Sequence, residues 1–179
     1  MEPNLTHYID PEIEGCLAYE ELDWLFRKAK EMESIVEIGS WMGKSSHALL
    51  SGCPGMVFCV DHFMGNPTER HKVHKRALTE DVHALFMQNV GHFKNLKVLK
   101  MDSLVAATQF SNKSVDMVFI DGDHEEDQVR ADIESWYPKT RKLLCGHDLY
   151  DDRVNKVIRE IDLPYRYHNE TWTIWSVYL

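Results

Sequence analysis

Apolar residues follow two alternating patterns along the chain. Over residues 16–33, Leu17, Leu22, Leu25, Phe26 and Ala29 recur at helical spacing among charged neighbours, which predicts an amphipathic helix. The period then changes. Ser34–Ile38 is a short, nearly continuous apolar run closed by Gly39, the pattern of a strand buried on both faces. Met56–Val60, closed by Asp61, repeats it, as do residues 96–100, Val115–Ile120 and residues 143–145. Helical segments over residues 44–50, 79–92, 125–137 and 151–161 separate these runs. Two last strands, near 165–169 and 171–178, are joined by a short polar turn around Asn169-Glu170, which suits an antiparallel hairpin.

Strands that alternate with helices imply βαβ units. The expected fold class is α/β, a three-layer, doubly wound, mostly parallel sheet covered on both faces. At 179 residues with no repeat or low-complexity linker, the chain reads as one domain, 1–179. Charge narrows the partners: 20 basic and 29 acidic residues give −9, which argues against general affinity for nucleic acid or an anionic membrane. No apolar run approaches the roughly 18 residues that span a bilayer. Met1-Glu2-Pro3-Asn4 lacks the basic and apolar regions of a signal peptide. Cys16, Cys53, Cys59 and Cys145 form no CxxC pair, so a reducing cytoplasm is the expected location.

Five carboxylates stand at or near the ends of the predicted parallel strands: Glu37, Asp61, Asp102, Asp121 and Asp148. In an open α/β sheet, ligands bind beyond the carboxyl ends of the strands. The row predicts a ligand rich in hydroxyl and amino donors, a metal, or both. Singly, each has a plainer reading: Asp61 as the cap of a turn, Asp102 as the cap of a helix starting at Leu104.

The first strand runs into Gly39-Ser40-Trp41-Met42-Gly43-Lys44-Ser45, a tight loop opening a helix. It is one residue short of a P-loop, and Trp41 stands where a dinucleotide fingerprint has its second glycine. Glu37 beside the loop repels phosphate and suits an ammonium or sulfonium group. The ligand indicated is an adenosine with a positively charged amino-acid arm. Asp61, 24 residues after Glu37, is placed to accept both ribose hydroxyls, and Asp102-Ser103 to meet the adenine amino group.

With these motifs the chain resembles a class I S-adenosylmethionine-dependent methyltransferase. It is most similar to the small-molecule O-methyltransferase group that includes macrocin-type enzymes and the methyltransferase domain 24 set. The resemblance is carried by residues 37–45, Val60-Asp61-His62-Phe63, Met101-Asp102-Ser103-Leu104, residues 115–124, Asp132, Trp136-Tyr137-Pro138 and Gly146-His147-Asp148. It implies a seven-stranded Rossmann-like methyltransferase sheet with an antiparallel C-terminal strand. It also implies S-adenosylmethionine contacts at Glu37, Gly39, Ser40, Trp41, Gly43, Ser45, Asp61, His62, Asp102, Ser103 and Asp121. Relatives in this group often bind a divalent metal, which implies a Mg²⁺ or Mn²⁺ site at Asp121, His147 and Asp148. His147 departs from the usual second acidic residue and favours the softer ion.

For a hydroxyl acceptor the enzyme must remove a proton. His124, three residues after Asp121, is the candidate base, and its alternative is a helix cap or loop contact. His71 and His74 have helical spacing, but nothing nearby completes a zinc set. Arg70, Lys72, Lys75 and Arg76 make residues 64–76 the basic patch of an acidic chain, either a lid that attracts an acidic acceptor or a solvated face. Trp172, Trp175 and Tyr178 predict a sticky edge that could serve a homodimer. The function expected is methyl transfer to a small-molecule acceptor. The alternatives are a non-catalytic cofactor-binding protein on the same fold or a nucleotide-binding protein.

Overall fold

The sheet grows outward from β1 (Ser34–Ile38), the first strand of the chain. The computed structural model describes residues 8–65, 72–163 and 168–179, with only the backbone for 72–74 and 168–169. On one side of β1 lie β2 (Met56–Val60) and then β3 (Leu96–Leu99). On the other lie β4 (Val115–Ile120), β5 (Thr140–Gly146), β7 (Trp175–Tyr178) and β6 (His168–Asn169). β1 to β5 pair in parallel, whereas β7 runs antiparallel to both β5 and β6. The chain order reverses at β1, so the β1 and β4 ends form the switch point where open α/β sheets bind ligands.

Period-two alternation sorts the strand side chains between two helical layers. Ile35, Val57, Cys59, Met117, Phe119 and Leu143 face α1 (Tyr19–Ala29), α2 (Lys44–Gly52) and α3 (Val82–Val90). Val36, Ile38, Val60, Val118, Ile120 and Leu144 face α4 (Ser103–Ala107), α5 (Glu126–Trp136) and α6 (Asp152–Glu160). Burial on both faces explains why these strands read as continuous apolar runs.

The differences from expectation are local. The first helix is shorter than 16–33 because Leu17 and Met32 join the core from non-helical backbone. β5 begins three residues before its apolar part: Arg141 and Lys142 turn outward and bind Asp116, whose buried carboxylate also accepts from the Glu33 amide. Trp175 is not a surface residue but core, packed where a Cβ on Gly146 would strike it. Trp172 lies in the turn before β7 rather than in the strand, and is 94% exposed. Cys53, Cys59 and Cys145 are buried thiols, and Cys16 is exposed. Arg70, His71 and residues 164–167 lie outside the described residues, as do the side chains of Lys72 and His74. No helix among the described residues is long and apolar enough to cross a membrane.

Candidate active site

The loop after β1 is shaped by backbone that side chains rarely adopt. Gly39 has φ of 84° and Gly43 of 93°, and Trp41 between them is left-handed at 47°. A Cβ on Gly39 would overlap the Asp121 carbonyl, so glycine there lets the β1 and β4 turns touch. Gly43 then caps α2 in left-handed geometry. Asp61 fastens this loop to the β2 turn: its carboxylate accepts from the Trp41 amide at 2.8 Å and the Phe63 amide at 2.6 Å.

Two cavities open above the strand ends and share Gly39, Trp41, Asp121 and Gly122. The first, about 310 Å³, is walled by Ile38, Val60, Asp61, His62, Met101, Ser103, Gln128 and Asp132, among others. The second, about 520 Å³, lies between the segment around Cys16, the loop residues Ser40, Lys44 and Ser45, and the turn holding His147, Asp148 and Tyr150. Both sizes suit small-molecule sites, and together they form one bent trough.

The expected contacts divide accordingly. Gly39, Ser40, Trp41, Ser45, Asp61, His62, Asp102, Ser103 and Asp121 all line the trough. Glu37 does not. It is fully buried beneath the loop, where its Oε2 accepts from the Ser40 hydroxyl at 2.7 Å and from Ser46. Alternation along β1 places it on the α2 face, where it braces the loop from below. Burial raises its pKa, and the serine hydroxyls only partly offset this. Asp102 caps α4, accepting from the Leu104 and Val105 amides, and its side chain is exposed.

In the larger cavity, beside Asp121 at the junction, side chains from two strand ends meet. His124 Nε2 lies 2.8 Å from Asp148 Oδ2. One ligand atom each of Asp121, His124 and Asp148 falls within 4.8 Å of the others. Asp148 is left-handed at φ 57°, a strained turn that aims its carboxylate back at His124. His147 is the residue that departs from expectation. It is buried behind the other three, with Nδ1 3.1 Å from Asp148 and 3.5 Å from Asp121 and Nε2 3.1 Å from Glu21 of α1. Both ring nitrogens of His147 are engaged within the protein, and it is His124 whose ligand atom converges with those of Asp121 and Asp148. Burial opposes a charge on His147, but Asp121, Asp148 and Glu21 outweigh it and hold the imidazolium far above its ordinary range. Burial likewise pushes Asp148 up, but the two imidazoles prevail and hold it low, whereas burial dominates at Asp121 and raises it.

Residues of this region that were not picked out as site residues from the sequence include Asp132, Cys16, Gln128, Tyr150 and Glu21. Cys16, Gln128 and Tyr150 carry no local signal. Glu21 does: it sits between Leu17 and Leu25 at i, i+4 spacing, a carboxylate on the apolar stripe of α1.

This combination of sheet order, glycine turn and acidic strand ends defines the class I methyltransferase fold. The profile of the methyltransferase domain family matches residues 36–148, more than half of the chain, and the chain belongs to that family. Among curated proteins it is 26% identical over 150 residues to an uncharacterized protein of Sinorhizobium fredii, covering 79% of this chain but only 16% of that much longer protein. Among solved structures it is similar to the O-methyltransferase of Bacillus cereus in complex with S-adenosylhomocysteine (SAH), with a TM-score of 0.61, 17% identity and 94% and 84% of the two chains covered. The SAH-bound methyltransferase of Podospora anserina superposes with a TM-score of 0.63 at 10% identity, over 90% of this chain and 79% of that one. At these identities the structural likeness establishes the fold.

Proposed function

We infer that this domain binds S-adenosylmethionine along the trough and transfers its methyl group to a hydroxyl of a small-molecule acceptor. The observation that carries the reading is the His124–Asp148 contact in the larger cavity, clustered with Asp121, which both cavities share. The adenosine takes the smaller cavity, with its ribose at Asp61. The methionine arm and the acceptor share the larger one, which places the methyl at the junction. The carboxylates there stabilise the sulfonium.

Methyl transfer needs the acceptor oxygen in line with the methyl–sulfur bond and stripped of its proton as the bond forms. His124 is placed to take that proton. Asp148, ionised and hydrogen-bonded to it, orients the ring and stabilises the imidazolium. His147 and Glu21 stand behind Asp148 and Asp121 and fix their side chains.

A second arrangement is supported by the same three residues. Asp121, His124 and Asp148 offer two oxygens and one nitrogen on the cavity wall, a donor set that fits Mn²⁺ better than Mg²⁺. When bound there, the ion would lower the pKa of the acceptor hydroxyl and position its oxygen. Calorimetry with SAH, with and without Mn²⁺, tests both parts. The reading predicts SAH binding in either condition and Mn²⁺ binding that Asp121→Asn weakens. A protein that binds ATP but not SAH would contradict it. A cytoplasmic location and a homodimer through the Trp172 edge belong to the same reading.

A further inference from the structure

The smaller cavity has a polar end that the proposed chemistry leaves unused. Gln128 Nε2 donates to Ser103 Oγ at 3.4 Å, and the Ser103 hydroxyl in turn donates to Asp132 Oδ1. Asp132 comes from α5, is 1% exposed and lines the cavity. The donors run in one direction, towards a carboxylate that can only accept when ionised. Asp102, the acceptor expected for an adenine amino group, lines the same cavity, but it is exposed and its Oδ1 already accepts from the first amides of α4.

Resting on the cofactor reading above, we propose that Asp132 is a specificity-determining residue that selects adenine over a 6-oxopurine by accepting from the exocyclic amino group. A 6-oxo group at the same place would set a carbonyl against a buried carboxylate, two acceptors with no proton between them. The other charged groups facing Asp132 are Asp102 at the start of α4 and Asp123 in the turn before α5, both carboxylates. Neither offers a donor to a 6-oxo group. Burial, helped by those two carboxylates and opposed by Ser103 and Gln128, raises the Asp132 pKa to about 6. A protonated Asp132 could donate to a 6-oxo group, so the selection weakens in acid.

The test compares SAH with S-inosylhomocysteine by calorimetry on the full chain. Wild type is expected to prefer SAH by about tenfold or more at pH 7.5 and by clearly less at pH 5. Asp132→Asn, whose amide can donate to the 6-oxo group, is expected to weaken SAH and strengthen the inosyl ligand. The opposed shift is one that a merely structural residue would not produce. If that variant does not fold, the wild-type comparison at the two pH values decides alone. Equal loss of both ligands in Asp132→Asn, or a wild-type preference unchanged between pH 5 and 7.5, would overturn the proposal while leaving cofactor binding standing. Failure of wild type to bind either ligand would overturn the cofactor reading and this inference with it.

Discussion

His124 and Asp148 make the contact on which proton removal depends. Replacing His124 with Gln keeps a hydrogen-bonding group but removes the base. It should lower the rate of SAH release, measured against a panel of hydroxylated acceptors, by about 10²–10⁴-fold while SAH affinity stays nearly unchanged. Glu21 acts differently. It lines neither cavity, yet its carboxylate completes the buried pair with His147 and also accepts from the Ala18 amide at 2.6 Å. Glu21→Gln should therefore lower the free energy of unfolding by about 2 kcal/mol in urea titration, the scale of a hydrogen bond to a charged group. Asp132 gives a pH signature in the ligand-free protein. Its pKa is raised on folding, so its contribution to stability is full below the ordinary carboxyl range and is lost as the pH rises through about 6. Asp132→Asn should raise the melting temperature more at pH 8 than at pH 5, and an equal shift at both would contradict the burial argument.

Among the elements, the β1 and β4 turns are locked together through Gly39, and the lock depends on the missing side chain. Gly39→Ala combines a left-handed φ with overlap on the Asp121 carbonyl, and should destabilise by about 1–3 kcal/mol or abolish ligand binding. Gly122→Ala, in the same cavity wall, meets only Ile38 Cγ2 at 3.6 Å and should be tolerated, which makes it the control. At the opposite end of the sheet, Asp116 accepts from Glu33, Arg141 and Lys142 and so ties β4 to β1 and β5. The strands β1, β2 and β4 were legible to the residue in the sequence, because burial on both faces makes their runs mostly apolar, with Glu37 and Asp116 as the buried charged exceptions. Helix α4 was legible only through Asp102, since five residues are too few to show a period. The engagement of His147 by Glu21, Asp121 and Asp148 was not legible. His124 and His147 both follow strand ends, and only the packing of α1 reveals that Glu21 occupies the second nitrogen of His147.

Across the whole molecule, the negative charge is concentrated where the trough lies. Asp61, Asp102, Asp121, Asp123, Asp132 and Asp148 all line it, which favours a cationic ligand over a polyphosphate. The cation nearest the glycine loop, Lys44, reaches the Gly15 carbonyl at 3.4 Å, and so helps fasten the segment that walls the larger cavity. Arg76, read from the sequence as part of either a lid or a solvated face, pairs with Glu14 on that segment and with Glu80, so its charge is already matched. The central claim is that this acidic trough holds an S-adenosyl ligand. Isothermal titration of the full chain with SAH and, separately, with ATP addresses it most directly. One SAH bound per chain with no ATP binding is the predicted result, and ATP binding in the absence of SAH binding would contradict it.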